Sequence, residues 1–295
     1  MADLDPISLA TLNELPHAEF VAVLGNIYEH AAWAAEAAAA RRPFATIAAV
    51  LAALGDAVRA ASSEDRLALV RGHPDLAKRA IALTRDSTAE QGAAGLDQLT
   101  SEEANALERL NTAYHARFAH PFILCVRRHT RDSIFATFER RLLNTPEQEL
   151  ATAFAEIDRI AALRLAAGVA GPGSLAVTGQ LTTHVLDAER GEPAAGVAVT
   201  LYEVRRTSAP HLVWRGATNG NGRTDAPLIA DRPVPIGQYE LSFEIGAYFA
   251  QRRSPAADPP FLDRVPVRFA VADPERHYHV PLLATPWSYT TYRGS

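Results

Sequence analysis

Hydrophobic positions in the first half of the chain recur every three or four residues, which is the period of an amphipathic helix. Two of the three clearest stripes follow a threonine that has a capping partner three residues later, Thr100 with Glu103 and Thr145 with Gln148. Pro146 adds a proline at a first-turn position that helices tolerate. The stripes are Phe44, Ile47, Leu51, Leu54 and Val58; Leu107, Leu110, Tyr114 and Phe118; and Leu150, Phe154, Ile157 and Ile160. This pattern predicts a helical first half.

Hydrophobic positions in the second half alternate with polar ones, which is the period of a strand with one solvent-facing side. The segment 219–222, Asn-Gly-Asn-Gly, is a strong turn signal. Prolines recur at positions 193, 227, 233, 266 and 281. The alternating hydrophobic residues are Tyr239, Leu241, Phe243 and Ile245, and Val197, Val199 and Leu201. This pattern predicts a β-sandwich.

Composition changes near residue 170 in the direction that these two periods require. Residues 1–170 hold 41 alanines and 6 prolines, whereas residues 171–295 hold 16 alanines and 13 prolines. Alanine is the best helix former, and proline is excluded from helix interiors and central strands. We therefore predict an all-α domain over residues 1–167, a glycine-rich linker over 168–176 and an all-β domain over 177–295.

Charge and cysteine content narrow the class of protein. The net charge of -5 and the pI near 6.1 argue against a nucleic-acid partner, which needs a basic face. Cys125 is the only cysteine, so no intramolecular disulfide can form and a reducing compartment is expected. The most apolar stretch, 43–54, is shorter than the roughly 20 residues of a membrane span. With no basic signal segment at the start and no peroxisomal signal at the end, we expect a cytoplasmic protein without a membrane partner.

The first group of candidate functional residues lies between positions 72 and 95. Pro74 favours an extended conformation at His73, so we expect a helix to end there and to display the imidazole on a loop. Ser87, Glu90 and Gln91 are spaced to share one face of a helix. Ser87 with Glu90 is equally a capping box that needs no function, and spacing alone favours that interpretation.

Three motifs of this half together resemble OHCU decarboxylase, the family that converts 2-oxo-4-hydroxy-4-carboxy-5-ureidoimidazoline (OHCU) to (S)-allantoin. The motifs are Gly-His-Pro-Asp-Leu at 72–76, Ser-Thr-Ala-Glu-Gln at 87–91 with Ala-Gly-Leu-Asp at 94–97, and Phe-Ala-His-Pro-Phe-Ile-Leu-Cys-Val-Arg at 118–127. The resemblance covers nearly all of residues 8–167. One departure is Ala119, which stands where the family usually has glycine.

This resemblance implies an all-helical fold and a site that uses neither a metal nor a cofactor. His73 and Glu90 would be catalytic, because an imidazole and polar groups can stabilise and then protonate the electron density that decarboxylation leaves. Arginine would bind the substrate carboxylate. The implied substrate-binding residues are Ser87, Gln91, Phe122, Ile123 and Arg164.

Three other histidines and the cysteine of this half are weaker candidates. His115, His120 and His129 have spacings that match no tight metal-ligand pattern, so we interpret them as structural or surface residues. Cys125 lies in an apolar run without an obvious base, which predicts a buried and unreactive thiol.

The second group of candidate residues consists of His184, Arg223, His277 and His279. The last two share one face of a strand, because alternate residues point the same way. Three histidines could bind zinc together with a water, could be structural, or could act in acid–base catalysis, and spacing alone does not separate these uses. Arg223 counts against zinc, because a fixed cation beside a dication is unfavourable.

Five motifs of the second half resemble 5-hydroxyisourate hydrolase, a member of the transthyretin-related family. They are Thr-His-Val-Leu-Asp at 183–187, Asn-Gly-Arg at 221–223, Gly-Ala-Tyr-Phe at 246–249, His-Tyr-His-Val-Pro-Leu-Leu at 277–283 and Tyr-Arg-Gly-Ser at 292–295. The resemblance spans about residues 177–295 and implies a transthyretin-like sandwich. The tetrapeptide at 292–295 is the motif that separates these hydrolases from the hormone-carrying transthyretins.

This second resemblance implies that water opens the six-membered ring of 5-hydroxyisourate. A histidine pair would hold and deprotonate the water, while the arginine would lower the imidazole pKa values and neutralise charge on the carbonyl. His277 would lie beside the site without a catalytic role. The implied catalytic residues are His184, Arg223, His279 and Ser295, with Tyr292 and Arg293 shaping the pocket.

The product of the second reaction is the substrate of the first, so the two resemblances together imply a bifunctional enzyme of urate breakdown without a cofactor. They also imply a homo-oligomer, either a dimer or a tetramer. The alternative is a transthyretin-like small-molecule carrier with a helical partner domain. The tetrapeptide at 292–295 and the polar site residues argue against the carrier.

Overall fold

The computed structural model describes residues 5–76, 96, 99–206, 208–252 and 258–294. The chain divides into two compact units. The first comprises Met1–Arg127 and Ile134–Val177, and the second comprises Arg128–Ser133 and Thr178–Ser295. The predicted boundaries at 167 and 177 remain a prediction about domains, and each unit is described below by itself.

The first unit is built mainly of helices around apolar side chains. Its cores include fully buried aromatic residues, among them Phe20, Tyr114 and Phe138. The helices are α1 (Leu9–Glu14), α2 (His17–Leu24), α3 (Ala32–Ala39), α4 (Ile47–Ala60), α5 (Ser63–Gly72), α6 (Ser101–Phe118), α7 (Arg131–Arg141) and α8 (Pro146–Gly168). The first three residues of α7 cluster with the second unit.

Side-chain caps set where these helices begin. Thr100 starts α6 and Thr145 starts α8, and both predicted capping boxes are present, with Glu103 and Gln148 as the partners. Each cap satisfies amide groups that the first turn of a helix leaves without an intrahelical partner. The sequence predicts that a helix ends before Pro74. Helix α5 ends one residue before His73, which confirms this prediction.

The first unit also contains a small parallel sheet. Strand β1 (Ile7–Ser8) pairs with strand β2 (Val169–Ala170), which follows α8 directly. Part of the segment 168–176, predicted as a linker, is therefore regular structure. Beyond it, the Pro172 carbonyl accepts a hydrogen bond of 2.9 Å from the first amide of α4.

The second unit contains two sheets. One has the strand order β11-β10-β3-β4, with β7 paired to β3 elsewhere along its length, and the other has the order β6-β5-β8-β9. The strands are β3 (Gly179–Asp187), β4 (Glu192–Pro193), β5 (Ala198–Glu203), β6 (His211–Ala217), β7 (Ile229–Arg232), β8 (Gly237–Glu244), β9 (Arg264–Val271), β10 (His277–Thr285) and β11 (Ser288–Thr291). Strands β3 and β10 run parallel, in a register that pairs Thr182 with His279.

Strand alternation sets which side chains reach the core of this unit. Tyr239, Leu241 and Phe243 on β8 are buried, as their alternation predicted. Strict alternation also runs along β3, where every second residue from Gly179 to Asp187 is buried and the others are half-exposed. The candidate residue His184 therefore shares the half-exposed face of β3 with Thr182.

The predicted fold class, an all-α domain followed by an all-β sandwich, is wrong as stated, because helices and sheets are mixed. The first unit carries the β1–β2 pair, and the second carries helix α9 (Ile245–Ala250). The alternation that predicted Ile245 as the last strand residue breaks down because the chain turns into this helix, with Ile245, Tyr248 and Phe249 buried. The first half is nevertheless rich in helix and the second rich in sheet.

Within the described ranges, the helices lack the combination of length and apolar character needed to cross a bilayer. The apolar stretch at 43–54 forms part of α4, whose inward face packs in the first unit.

Candidate active sites

A recess in the first unit brings together four of the residues that the sequence predicted for the decarboxylase site. His73, Phe122, Ile123 and Arg164 line it, together with Glu29, which the sequence analysis did not predict. Its empty volume is about 370 Å³, counting the open mouth. The recess combines apolar walls with an imidazole, a guanidinium and a carboxylate, which is the composition of a small-molecule site.

His73 sits at the end of α5 in an extended conformation, but its imidazole is buried and not displayed on a loop. Its Nδ1 lies 2.8 Å from the carbonyl of Leu69. A carbonyl can only accept, so Nδ1 carries the proton and Nε2 keeps the lone pair of the neutral ring. Burial lowers the pKa of His73, and the hydrogen bond to Leu69 offsets only part of that effect.

Arg164 projects from α8 and is held by two acceptors. It donates a hydrogen bond of 3.1 Å to the carboxylate of Glu29 and one of 3.2 Å to the carbonyl of Asn26. Glu29 and Arg164 are both buried, so each charge needs the other. The pairing holds the guanidinium at the recess, and a guanidinium is a group that can bind a carboxylate.

The backbone at Phe122 and Ile123 is fixed by a buried polar network. Arg141 donates a hydrogen bond of 2.7 Å to the carbonyl of Ile123, and its guanidinium lies 4.5 Å from the centre of the Phe122 ring. Glu149, fully buried, accepts hydrogen bonds from Arg141 and from the hydroxyl of Tyr114. This network positions the two residues without occupying their recess-facing sides.

The other predicted residues of the decarboxylase site, Ser87, Glu90 and Gln91, lie outside the described residues. Their assignment to the site, or to a helix cap, stays a prediction.

Three other histidines of the first half have structural partners. His115 Nε2 lies 2.6 Å from Asp75, His120 Nδ1 donates to the carbonyl of Pro121 and His129 Nδ1 lies 2.9 Å from the hydroxyl of Ser133. Cys125 is buried, as expected. In the ranges that the structure describes, no cluster of three or more His, Cys, Asp or Glu side chains could hold a metal ion.

In the second unit, strands β3 and β10 and the turn before Arg223 gather the predicted hydrolase residues. His184 on β3 forms a backbone bridge with Arg223, and His279 on β10 forms one with Gly294. Gly222, at a positive φ of 70°, makes the close approach possible, because a Cβ there would meet the Val185 carbonyl at 2.3 Å.

Gly294 has an equally direct steric role. A Cβ at this position would lie 2.6 Å from the ring of His279. The Gly294 amide also donates a hydrogen bond of 2.8 Å to the His279 carbonyl, which fixes the tail against β10. The glycine of the tetrapeptide at 292–295 is therefore required by its contact with a candidate catalytic residue.

His279 is also held from its other side. Its Nδ1 lies 2.9 Å from Thr182 Oγ1, and the same hydroxyl lies 2.8 Å from Nε2 of His277. Thr182 is a contact that the sequence analysis missed. The strand period indicates that Thr182 and His184 face the same side, but the contact with His279 depends on the register between β3 and β10.

Burial and a nearby cation both lower the pKa values of the site imidazoles. Burial lowers the pKa of His184, and the positive charge of Arg223 lowers it further. For His279, burial again lowers the pKa most, followed by Arg223, His277 and His184. Among the described residues, His184 Nε2 is buried without a hydrogen-bond partner, which is rare in folded proteins and points to a bound water or ligand.

The tail residues Tyr292 and Arg293 directly precede Gly294 in the chain. Tyr292 is exposed, while the guanidinium of Arg293 lies 4.7 Å from the centre of the Tyr278 ring. Ser295 lies outside the described residues.

Two neutral imidazoles beside an arginine can hold and deprotonate a water and stabilise an oxyanion.

Comparisons with known proteins match both halves of the chain. A family model described as OHCU decarboxylase matches residues 13–166, and one described as the HIUase/Transthyretin family matches residues 181–294. A crystal structure of (S)-allantoin synthase is 35% identical, with a TM-score of 0.51. The match covers 98% of this chain and 100% of that one.

Two curated relatives match one half each. The 5-hydroxyisourate hydrolase of Deinococcus radiodurans is 57% identical over 116 residues, which are 39% of this chain and 95% of the relative. The 2-oxo-4-hydroxy-4-carboxy-5-ureidoimidazoline decarboxylase of Haloferax volcanii is 41% identical over 160 residues, which are 54% of this chain and 95% of the relative. The chain therefore belongs to the OHCU decarboxylase family through its first half and to the HIUase/Transthyretin family through its second.

Proposed function

We infer that this chain is a bifunctional enzyme of urate degradation. It hydrolyses 5-hydroxyisourate to OHCU and decarboxylates OHCU to (S)-allantoin. The observation that carries this conclusion is the match along almost the whole chain to an (S)-allantoin synthase structure, supported by a hydrolase relative for one half and a decarboxylase relative for the other. We assign decarboxylation to residues 1–167 and hydrolysis to residues 177–295.

Hydrolysis begins with a water held by the neutral imidazoles of His184 and His279. One imidazole removes a proton as the water attacks the ring carbonyl, and the same proton is then available to the leaving nitrogen. Arg223 favours the neutral, basic form of both rings and stabilises the negative charge on the carbonyl oxygen. Ser295, Tyr292 and Arg293 complete this pocket in our assignment.

Decarboxylation uses the recess of the first unit. Arg164 binds the substrate carboxylate, and the walls formed by Phe122 and Ile123 hold the ring. His73, with its Nε2 lone pair available, hydrogen-bonds a substrate donor as the carboxylate leaves. Ser87, Glu90 and Gln91 complete the site, with Glu90 as the group that protonates the carbon.

Neither reaction as written uses a metal or a cofactor. We further propose a cytoplasmic homo-oligomer, a location in accord with a single, buried cysteine. A transthyretin-like carrier is not favoured, because the Deinococcus radiodurans and Rhizobium meliloti relatives of the second half are named as hydrolases.

Paired variants test the assignment of one reaction to each unit. His73→Asn should abolish decarboxylation and leave ring opening at the parent rate, whereas His279→Asn should do the reverse. The measurement is an initial rate for each reaction, with freshly made 5-hydroxyisourate or OHCU, on folded proteins. Loss of both activities in either variant, at unchanged thermal stability, would contradict two separate sites.

A further inference from the structure

The hydroxyl of Thr182 contacts two histidines at once. Its Oγ1 lies 2.9 Å from Nδ1 of His279 and 2.8 Å from Nε2 of His277. The parallel register of β3 and β10 places Thr182 opposite His279, so the contact is built into the sheet. His277 is exposed and His279 is half-buried, so the three groups form a chain from the site to the surface.

A hydroxyl has one proton to donate, so it cannot donate to both imidazoles. If Thr182 donates to His277, it accepts from His279, whose Nδ1 then carries the proton. If Thr182 donates to His279, that ring must carry its proton on Nε2 instead. Only the first arrangement leaves Nε2 of neutral His279 with a lone pair that can take a proton from water.

We propose that Thr182 and His277 are positioning residues that fix His279 in the tautomer whose Nε2 is basic. Thr182 accepts the Nδ1 proton of His279, and His277 accepts the hydroxyl proton of Thr182, which keeps that hydroxyl turned away from Nδ1. The proposal rests on the assigned role of His279 as a base in hydrolysis. It assigns His277 an indirect role that acts through Thr182, whereas the sequence analysis placed His277 beside the site without a catalytic role.

The arrangement also supports His279 when its ring becomes charged. Once Nε2 has taken a proton from water, Nδ1 still donates to Thr182, so no hydrogen bond has to rearrange. Among the residues that the structure describes, the other charged or titratable groups that bear on His279 are Arg223, His184 and His277. None of these occupies the hydrogen bond at Nδ1, because Thr182 Oγ1 does.

Two substitutions at Thr182 separate the hydroxyl from the shape of the side chain. Thr182→Val keeps the branched shape that suits a strand and removes the hydroxyl, so kcat for 5-hydroxyisourate should fall about tenfold or more, with KM little changed. Thr182→Ser restores the hydroxyl and should recover most of kcat.

Substitutions at His277 test the second contact of the Thr182 hydroxyl. His277→Gln keeps an acceptor for the hydroxyl and should retain more activity than His277→Ala.

Thr183→Val is the matched control. Thr183 lies next in the same strand but faces the core, where its hydroxyl donates to the carbonyl of Val280. It should leave kcat for ring opening unchanged in the folded protein. A Thr182→Val variant with parent kcat would overturn the proposal.

Nitrogen-15 spectra of histidine-labelled protein read the tautomer directly, with His279→Asn used to assign the signals. The parent should show a protonated Nδ1 and an unprotonated Nε2 for His279, and Thr182→Val should shift the ring toward the other tautomer. An Nε2-protonated ring in the parent would overturn the proposal. Full activity in His279→Asn would instead remove the assigned role of His279 itself.

Discussion

At the scale of single residues, the surroundings of each histidine set its chemistry more than its place in a motif. The pKa values of His184 and His279 are lowered first by burial and then by the charge of Arg223. Burial is also the largest cause of the lowered pKa of His73, and the charges of Arg164 and His30 lower it further. Neutral imidazoles can accept protons or hydrogen bonds, which both proposed reactions require.

The lowered pKa values predict the acid limb of the hydrolysis profile. Because the pKa of both imidazoles is lowered from its ordinary value of 6.5, kcat/KM should decline at a pH below that value. Arg223→Gln removes the second cause of the shift, so the decline should begin at a higher pH. Arg223→Lys, which keeps the charge, is the control. Superimposable profiles for the Gln variant and the parent would show that the charge of Arg223 does not act on these rings.

Local sequence patterns predicted some residues of each site, but not the contacts between residues that are far apart in the chain. Pro74 correctly predicted the extended backbone at His73, yet nothing nearby in the sequence indicated that the imidazole would be buried. Glu29 was missed because its partner, Arg164, lies 135 residues away along the chain. Thr182 was missed because its two contacts depend on the register between β3 and β10, which the period of one strand does not define.

At the scale of elements, helix ends followed the sequence closely because capping is a local interaction. The boxes at Thr100 and Thr145 were readable from residues three positions apart. The residue at the C-terminal end of α6, Ala119, is less well suited to its backbone conformation. Ala119 caps the helix in the left-handed conformation, with φ of 58°, a conformation that favours glycine.

This cap predicts a stabilising substitution. Ala119→Gly should raise the free energy of unfolding by about 0.5–1 kcal/mol, because glycine adopts a positive φ without the strain that a Cβ brings. Ala116→Gly, at an exposed position inside the same helix, should lower it by a similar amount. Chemical denaturation of the two variants and the parent measures both effects. Equal changes of one sign would contradict the role of the cap.

The tail that follows β11 acts on the site through close packing. Gly294→Ala would place a Cβ 2.6 Å from the His279 ring, so the imidazole must move and hydrolysis should fall by at least tenfold. Gly220→Ala is the control, because a Cβ there meets nothing within 4 Å. The initial rate of ring opening compares the two variants. A parent rate in Gly294→Ala would show that the tail does not hold His279 in place.

At the scale of the whole molecule, composition located the change from helix to sheet near residue 170. It could not indicate that Arg128–Ser133 clusters with the second unit, because that assignment depends on contacts far apart in sequence. Nor could it indicate the β1–β2 pair, which joins residues at opposite ends of the helical half.

Deleting residues 292–295 tests how far the two activities are independent. The deletion removes Gly294 with its hydrogen bond to β10, as well as Tyr292, Arg293 and Ser295. Ring opening should be lost, while decarboxylation of supplied OHCU should continue near the parent rate. Each rate is measured on the truncated and the parent protein. Loss of decarboxylation in a truncated protein that is still folded would contradict the independence of the two sites.

The central claim, that one chain carries out both steps, is tested most directly by the stereochemistry of the final product. Freshly made 5-hydroxyisourate is supplied to the parent protein, and the optical activity of the allantoin is followed by circular dichroism. Both sites acting in turn should give optically active (S)-allantoin, because the enzyme protonates one face of the ring. Racemic allantoin at enzyme concentrations that complete ring opening would show that decarboxylation occurs in solution, and would contradict the account.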